Sequence, residues 1–391
     1  MSSDIIKKAD KVLAGTYGRF PLVLKKGQGC RVEDVGGNSY LDFVAGIAVC
    51  NLGHSHPAVI RALGDQAREL FHVSNLYYTL PQVELAAFLT ANSFADRVFF
   101  CNSGAEANEA AIKLARKFFS SKGEEPFRII AMDKSFHGRT MATLSATGQK
   151  KIQAGYEPVL PGFDFVPFND IEALRQAVTP LTCAVMLEPV QGEGGVRCPS
   201  PGYLKKVRDL CDEKGLLLIF DEIQTGIGRT GKLFAYQHEG VEPDIMTLAK
   251  ALGNGLPIGA MLAREAVAAA FTPGSHASTF GGTPIITAAA LATLTTIVEE
   301  DLAGRAGQIG RYFQDRLEWL KSRHDVVEDV RGIGLLLGIK LKHPGAEIVK
   351  ACMQKGFLIN CVQDSILRFI PPLIISREDI DALIACLDEV L

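Results

Sequence analysis

The chain has no Cys-x-x-Cys pair, no long apolar run, no excess of either charge and no low-complexity segment or obvious repeat. Each absence removes a class of protein. Nine scattered cysteines, an odd number, argue for reduced thiols and against a disulfide framework or a zinc site. A formal charge of -3 offers no attraction to nucleic acid or an anionic membrane. No run approaches the roughly 18 apolar residues of a membrane span. The first residues carry Asp4, Lys7, Lys8, Asp10 and Lys11 without an apolar core behind them, unlike a signal peptide. The expected compartment is the cytoplasm. What is present, 391 residues with 47% hydrophobic side chains, suits an enzyme with one large and one smaller domain.

A lysine interrupts the apolar stretch Asp244-Ile-Met-Thr-Leu-Ala-Lys250-Ala-Leu-Gly. Apolar surroundings keep an amine partly unprotonated and nucleophilic, although a lone lysine of this kind more often snorkels to solvent. Upstream, Leu216-Leu-Leu-Ile-Phe220 ends in Asp221-Glu-Ile-Gln224, a buried strand delivering a carboxylate to a sheet rim. An aspartate at a strand end is equally often a cap or turn former. Together, a lysine that can condense with an aldehyde and an aspartate that can hold a pyridinium nitrogen suggest pyridoxal phosphate (PLP).

Short apolar runs at 97–101, 128–132, 183–187, 216–220 and 258–263 alternate with helical patterns such as 105–119 and 202–214. That alternation predicts an α/β fold with a mainly parallel sheet covered by helices on both faces. Gly29 to Asp42 reads as an antiparallel hairpin around Gly-Gly-Asn. After Pro284 one helix-compatible stretch runs toward Trp319, then 326–341 and 357–369 read as strands broken by glycines. The expected domains are 1–60 and 284–391, forming a smaller α+β unit from both chain ends, and 61–283, the large cofactor-binding unit.

Ser103 followed by Glu106 is a capping-box pattern after an apolar strand, and Ala107, Ala110, Ala111, Leu114, Ala115 and Phe118 mark the buried face of the helix it opens. Gly104 and Ala105 leave the first helical amides open, a cradle suited to phosphate as well as an ordinary capped start. Gly226-Ile-Gly228-Arg-Thr-Gly231 matches a dinucleotide spacing, but no long helix follows and no second acid-ended strand comes 20 or so residues on. It reads as a flexible loop beside the cofactor. His54-Ser-His56-Pro57 lacks a third ligand and reads as turn structure, so no metal is expected.

These segments resemble, in this order, the class-III (ω-amino acid) aminotransferases of fold type I from about residue 17 to the C-terminus. The resemblance rests on Asn102-Ser-Gly-Ala-Glu-Ala-Asn108, Phe136-His-Gly-Arg139, Glu188-Pro-Val-Gln-Gly-Glu193, Phe220 to Gly231, Leu248-Ala-Lys250 and Ser278-Thr279-Phe-Gly-Gly. Thr16 to Pro21, Gly46 to His54, His72 to Tyr78 and Arg368 to Leu373 resemble the branch acting on acylated ornithine. The resemblance implies a seven-stranded sheet in the large domain, PLP as cofactor and a homodimer with shared active sites. Lys250 would hold the cofactor and shuttle a proton, and Asp221 would keep its ring nitrogen protonated. Gln224 would bond the ring 3-oxygen, Phe136 would stack on the ring, and Ser103, Gly104 and Ala105 would line the phosphate site. Thr279 would complete that site from the neighbouring subunit. Arg139 would take the carboxylate far from the reacting carbon, Arg368 the near carboxylate of glutamate, with Glu193 pairing Arg368 when that carboxylate is absent. Ser278 would contact the acylated substrate.

The implied reaction moves the δ-amino group of N2-acetyl-L-ornithine to 2-oxoglutarate, giving N-acetyl-L-glutamate 5-semialdehyde and L-glutamate. Other ω-aminotransferases remain alternatives, acting on succinylornithine, succinyl-diaminopimelate, ornithine or 4-aminobutyrate. Tyr17 stands where the ornithine enzymes carry a substrate-binding tyrosine, whereas Ile47 replaces their second aromatic. A glutamate-semialdehyde aminomutase would share fold and cofactor but return the amine to the same molecule.

Overall fold

The computed structural model describes residues 2–391. Its largest sheet has seven strands in the order Arg97–Cys101, Gly259–Ala263, Ile245–Leu248, Leu217–Asp221, Thr182–Leu187, Arg128–Met132 and Phe163–Val166. Only Gly259–Ala263 runs antiparallel to its neighbours. The central strands Thr182–Leu187, Leu217–Asp221 and Ile245–Leu248 are buried along their whole length. Helices cover both faces of a parallel sheet, which is why these strands read as unbroken apolar runs rather than alternating ones. All five expected strands form, with ends shifted by a residue at most. Two strands escaped the sequence reading. Phe163–Val166 pairs on one side only and carries an acid, and Ile245–Leu248 lies inside the segment taken for the lysine's apolar setting.

Ser103 does cap its helix, Gly104–Ser120, accepting from the Glu106 amide at 3.2 Å. The buried face differs from expectation. Phe119 is buried and Phe118 only half-buried, and the polar Asn108 lies fully buried among the alanines. The stretch after Pro284 is also two helices, Pro284–Glu299 and Leu302–Arg323. Asp301 breaks it, with φ 45° and a side chain that accepts from the Gly304 amide at 3.1 Å. A short carboxylate that tolerates the left-handed region and caps a new helix overrides the continuous apolar pattern.

The chain ends meet in space. Arg31–Asp34 and Ser39–Asp42 form the expected antiparallel hairpin, Leu24–Gln28 adds a strand the sequence reading did not place, and Phe357–Leu358 adds in parallel beside Ser39–Asp42. A third sheet orders Val327–Ile333, Leu336–Leu341, Ile366–Phe369 and Asn360–Val362, antiparallel throughout. Helix Leu302–Arg323 lies so close to this sheet's first turn that a Cβ on Gly310 would collide with the Gly334 backbone. Ile366–Phe369 is buried at every residue, and it carries Arg368 opposite Gly338.

Candidate active site

The carboxyl ends of the central strands open into a cavity of about 490 Å³. The pleat separates the two adjacent acids at the end of Leu217–Asp221. Asp221 faces the cavity, whereas Glu222 turns away and accepts from the Ala235 and Tyr236 amides at 2.6 and 2.8 Å. Asp221 is held rigidly. Its Oδ2 accepts from Asn108 Nδ2 and lies 2.8 Å from His137 Nδ1, and its Oδ1 accepts from the Ile223 amide at 3.1 Å. Asn108 is fixed in turn, donating to the His137 carbonyl at 2.7 Å and accepting from Thr247 Oγ1 at 2.7 Å. Asn108 and His137 were missed as functional residues, though both lie in quoted motifs. A polar side chain on the apolar face of a helix was the signal for Asn108.

Lys250 follows the Ile245–Leu248 strand with φ 47°, a left-handed conformation unfavourable for a residue with a Cβ. Its ammonium makes no hydrogen bond or ion pair among the described residues. Burial, reinforced by the Arg368 charge and opposed by Glu193, Asp221 and Glu188, pushes its pKa down to about 8. The amine is therefore poised to act as a nucleophile near neutral pH. Glu188 also lines the cavity, another residue without an assigned role in the sequence reading. Burial, then the nearby Asp221 charge, raises its pKa well above the carboxyl range, and it accepts from the Phe136 amide at 3.2 Å.

Arg368 is fully buried. Its Nη1 donates to Glu193 Oε1 at 2.6 Å and to Gln224 Oε1 at 3.1 Å, and its Nη2 has no partner. Gln224 also reaches Glu193 Oε1 at 3.4 Å. Burial works against the Glu193 carboxylate, but the Arg368 and Lys250 charges outweigh it and hold its pKa below the ordinary value. A Cβ on Gly192 would collide with the Gln224 amide, so the loop needs glycine there. Arg139 stands exposed at the cavity mouth, without an ion pair among the described residues, its guanidinium 5.7 Å from the centre of the Phe136 ring.

Ser103, Gly104, Ala105, Phe136, Gln224 and Lys250 all line the cavity with Asp221, Glu193 and Arg139. The Gly104 and Ala105 amides make no hydrogen bond among the described residues, and a Cβ on Gly104 would meet the Ile223 side chain at 2.7 Å. Ser278 and Thr279 lie elsewhere. They line a separate recess of about 340 Å³ with Glu106, Glu109 and His276, where Ser278 Oγ accepts from Asn102 Nδ2 at 3.2 Å and Thr279 is exposed. The segment read as a flexible loop, Gly226 to Gly231, is instead a turn buried from Gly226 to Thr230. Its Arg229 is fully buried and donates to the Leu335 and Pro371 carbonyls and to Asn51, which ties the turn to the chain's ends. His54 Nε2 lies 2.8 Å from Asp42 Oδ2, and His56 precedes the helix Pro57–Glu69.

The cavity fits PLP on its own terms. A buried carboxylate without a Lys or Arg partner suits a protonated ring nitrogen, and two free amides at a helix start suit a phosphate. A free amine with a lowered pKa suits an aldehyde. The model of the family described as aminotransferase class-III matches residues 12–391. An acetylornithine aminotransferase of Methanocaldococcus jannaschii is 55% identical over 96% of this chain and 94% of its own length. One from Methanothermobacter thermautotrophicus is 53% identical over 100% and 99%. Among solved structures, the ornithine aminotransferase of Toxoplasma gondii superposes with a TM-score of 0.96 at 36% identity, covering 100% of this chain and 94% of that one. The acetylornithine aminotransferase of Elizabethkingia anophelis gives 0.89 at 36% identity, covering 100% and 98%. The chain belongs to the class-III aminotransferases. It is a PLP-dependent aminotransferase of fold type I.

Proposed function

We propose that this aminotransferase converts N2-acetyl-L-ornithine and 2-oxoglutarate to N-acetyl-L-glutamate 5-semialdehyde and L-glutamate, a step of arginine synthesis. The observation that carries the reading is the buried Arg368–Glu193 pair at 2.6 Å beside an unpaired Arg139. Two amine donors must use one cavity, and only glutamate brings a carboxylate beside its reacting carbon. With N-acetylornithine, Glu193 neutralises Arg368, and Arg139 takes the distant carboxylate in its planar fork. With glutamate, Glu193 moves aside and Arg368 binds the near carboxylate. The names of the relatives at 50–55% identity support the same substrate.

When bound, the cofactor supplies an electron sink for the pair of electrons left on the substrate carbon. The chain supplies the rest. Asp221 would hold the proton on the ring nitrogen, and Gln224 would bond the ring 3-oxygen. Phe136 would pack on the ring, and Ser103 with the Gly104 and Ala105 amides would receive the phosphate. Lys250 Nζ would hold the cofactor through its aldehyde and, once displaced by the substrate amine, would be free to carry the proton from the amine-bearing carbon.

We infer further that the enzyme is a homodimer in which Thr279 of one subunit completes the other's phosphate site and Ser278 approaches the acylated substrate. The exposed Leu76, Tyr78, Leu80 and Phe280 support such an interface. The smaller domain takes 1–60 and 284–391, which agrees with strands from both ends sharing a sheet. The nine free thiols support a cytoplasmic setting, and among the described residues no helix is long and apolar enough to cross a membrane.

An amine-donor panel with 2-oxoglutarate tests the assignment: N-acetylornithine, N-succinylornithine, N-succinyl-diaminopimelate, ornithine and 4-aminobutyrate. N-acetylornithine should give the highest kcat/KM. A preference for free ornithine or 4-aminobutyrate would overturn it, and turnover without 2-oxoglutarate consumption would point to an aminomutase.

A further inference from the structure

Beyond Arg139 the reaction cavity continues into a second space of about 600 Å³, which shares Phe136, Arg139 and Glu193 with it. Gln149, Cys361 and Gln363 line its wall. Gln363 and Asp364 join the strands Asn360–Val362 and Ile366–Phe369, and both are left-handed, with φ 49° and 63°. Neither residue is glycine, so the turn is strained, and conformations of that kind persist only where the surroundings hold them. They do so here. The Gln363 carbonyl accepts from the Ser365 amide at 2.8 Å and the Asp364 carbonyl from the Gly345 amide at 2.9 Å.

The turn aims the Gln363 side chain across the gap. Its Nε2 donates to the Glu193 carbonyl at 2.9 Å and to Gln149 Oε1 at 3.4 Å. Both partners are acceptors, which settles the orientation of the amide: nitrogen toward Glu193, oxygen free. That oxygen accepts nothing among the described residues, in a wall that adjoins the unpaired Arg139.

We propose that Gln363 Oε1 is the acceptor for the N–H of an Nα-acyl amino-acid substrate, which makes Gln363 a specificity-determining residue. The inference rests on the proposed function and deepens it. A substrate whose α-carboxylate sits on Arg139 carries its acylated nitrogen one carbon away, and an acylated nitrogen has one hydrogen to donate and no charge. A neutral, fixed acceptor suits it. Glutamate, whose far end has only a carboxylate, makes no use of Gln363. Gln363 thus gives the acylated nitrogen a partner that Arg139 does not supply.

The test uses the holoenzyme and two unreactive probes, N2-acetyl-L-norvaline, which keeps carboxylate and amide, and pentanoate, which lacks the amide. In Gln363→Ala, calorimetry should show N2-acetyl-L-norvaline bound about tenfold more weakly, as expected for one lost hydrogen bond, and pentanoate bound within about twofold of wild type. KM for N-acetylornithine should rise with kcat little changed, and the glutamate half-reaction should keep its rate. Gln363→Asn, which tolerates the left-handed turn but withdraws the amide, should behave like Gln363→Ala and guards against a folding defect. Unchanged affinity for N2-acetyl-L-norvaline overturns the inference, as does an equal loss for pentanoate or for the glutamate half-reaction. A wild-type enzyme that ignores N-acetylornithine refutes the proposed function itself. One that uses it while Gln363→Ala matches it refutes only the role of Gln363.

Discussion

Arg368 is buried with Nη1 on Glu193 Oε1 at 2.6 Å, Nε on Asn360 Oδ1 at 3.3 Å and Nη2 without a partner among the described residues. A cation with one side neutralised and one side vacant suits an exchange of carboxylates. Glu193, with 27% of its side chain exposed, is the partner able to leave.

Glu193→Gln should leave Arg368 permanently available to a substrate carboxylate. The glutamate half-reaction should run as well as in wild type or better, and the N-acetylornithine half should slow. Arg368→Ala should do the reverse and cripple the glutamate half. Breaking a partly buried charge-assisted contact costs about 2–5 kcal/mol, so single-turnover rates should separate the two effects. Equal losses in both halves for both variants would leave no exchange to explain.

Lys250→Ala should remain folded and still bind PLP through the phosphate and ring contacts. The visible band of lysine-bound cofactor should vanish and transamination become negligible, because nucleophile and proton carrier are lost together. Normal turnover in this variant would remove Lys250 from the mechanism.

Asp221→Ala should lower kcat by a hundredfold or more, on the order seen when a preorganised electrostatic partner is removed. Asn108→Ala should act at one remove. It deletes the 2.8 Å hydrogen bond that fixes Asp221, so kcat should fall less, with KM nearly constant. Identical kinetics in Asn108→Ala and wild type would show that His137 and the Ile223 amide suffice.

The lysine's environment predicts a pH dependence. With a pKa of about 8 in the folded protein against an ordinary 10.5, the cofactor-free enzyme should take up PLP faster as pH rises through about 8. Its stability follows the same sign. Between about pH 8 and 10.5 the unfolded chain binds the extra proton, so Lys250's contribution to stability rises with pH there and its burial cost is fully felt below 8. Stopped-flow uptake and denaturant melts of the cofactor-free protein would measure both. An uptake rate still climbing steeply only near pH 10.5 would show an unshifted amine.

Much of the architecture was legible because continuous apolar runs are what a doubly covered parallel sheet needs. The edge strand Phe163–Val166 was not, since pairing on one side with partial exposure leaves no such run. The helix break at Asp301 was hidden for another reason: the segments on both sides form helices and no proline stands between them. Gly226 to Thr230 looked mobile from its glycines, yet those glycines serve close packing, with Gly228 against Leu373.

By itself, the amino-acid sequence determined the order of strands and helices, the cap at Ser103 and the residue types the chemistry requires. These depend on local periodicity and on side-chain chemistry, which neighbours along the chain carry. Tertiary structure alone decided which of those groups meet. Arg368 reaches Glu193 across 175 residues and Asn108 reaches Asp221 across 113. It also decided the lowered pKa of Lys250, because desolvation and the field of distant charges exist only once the chain has closed around them.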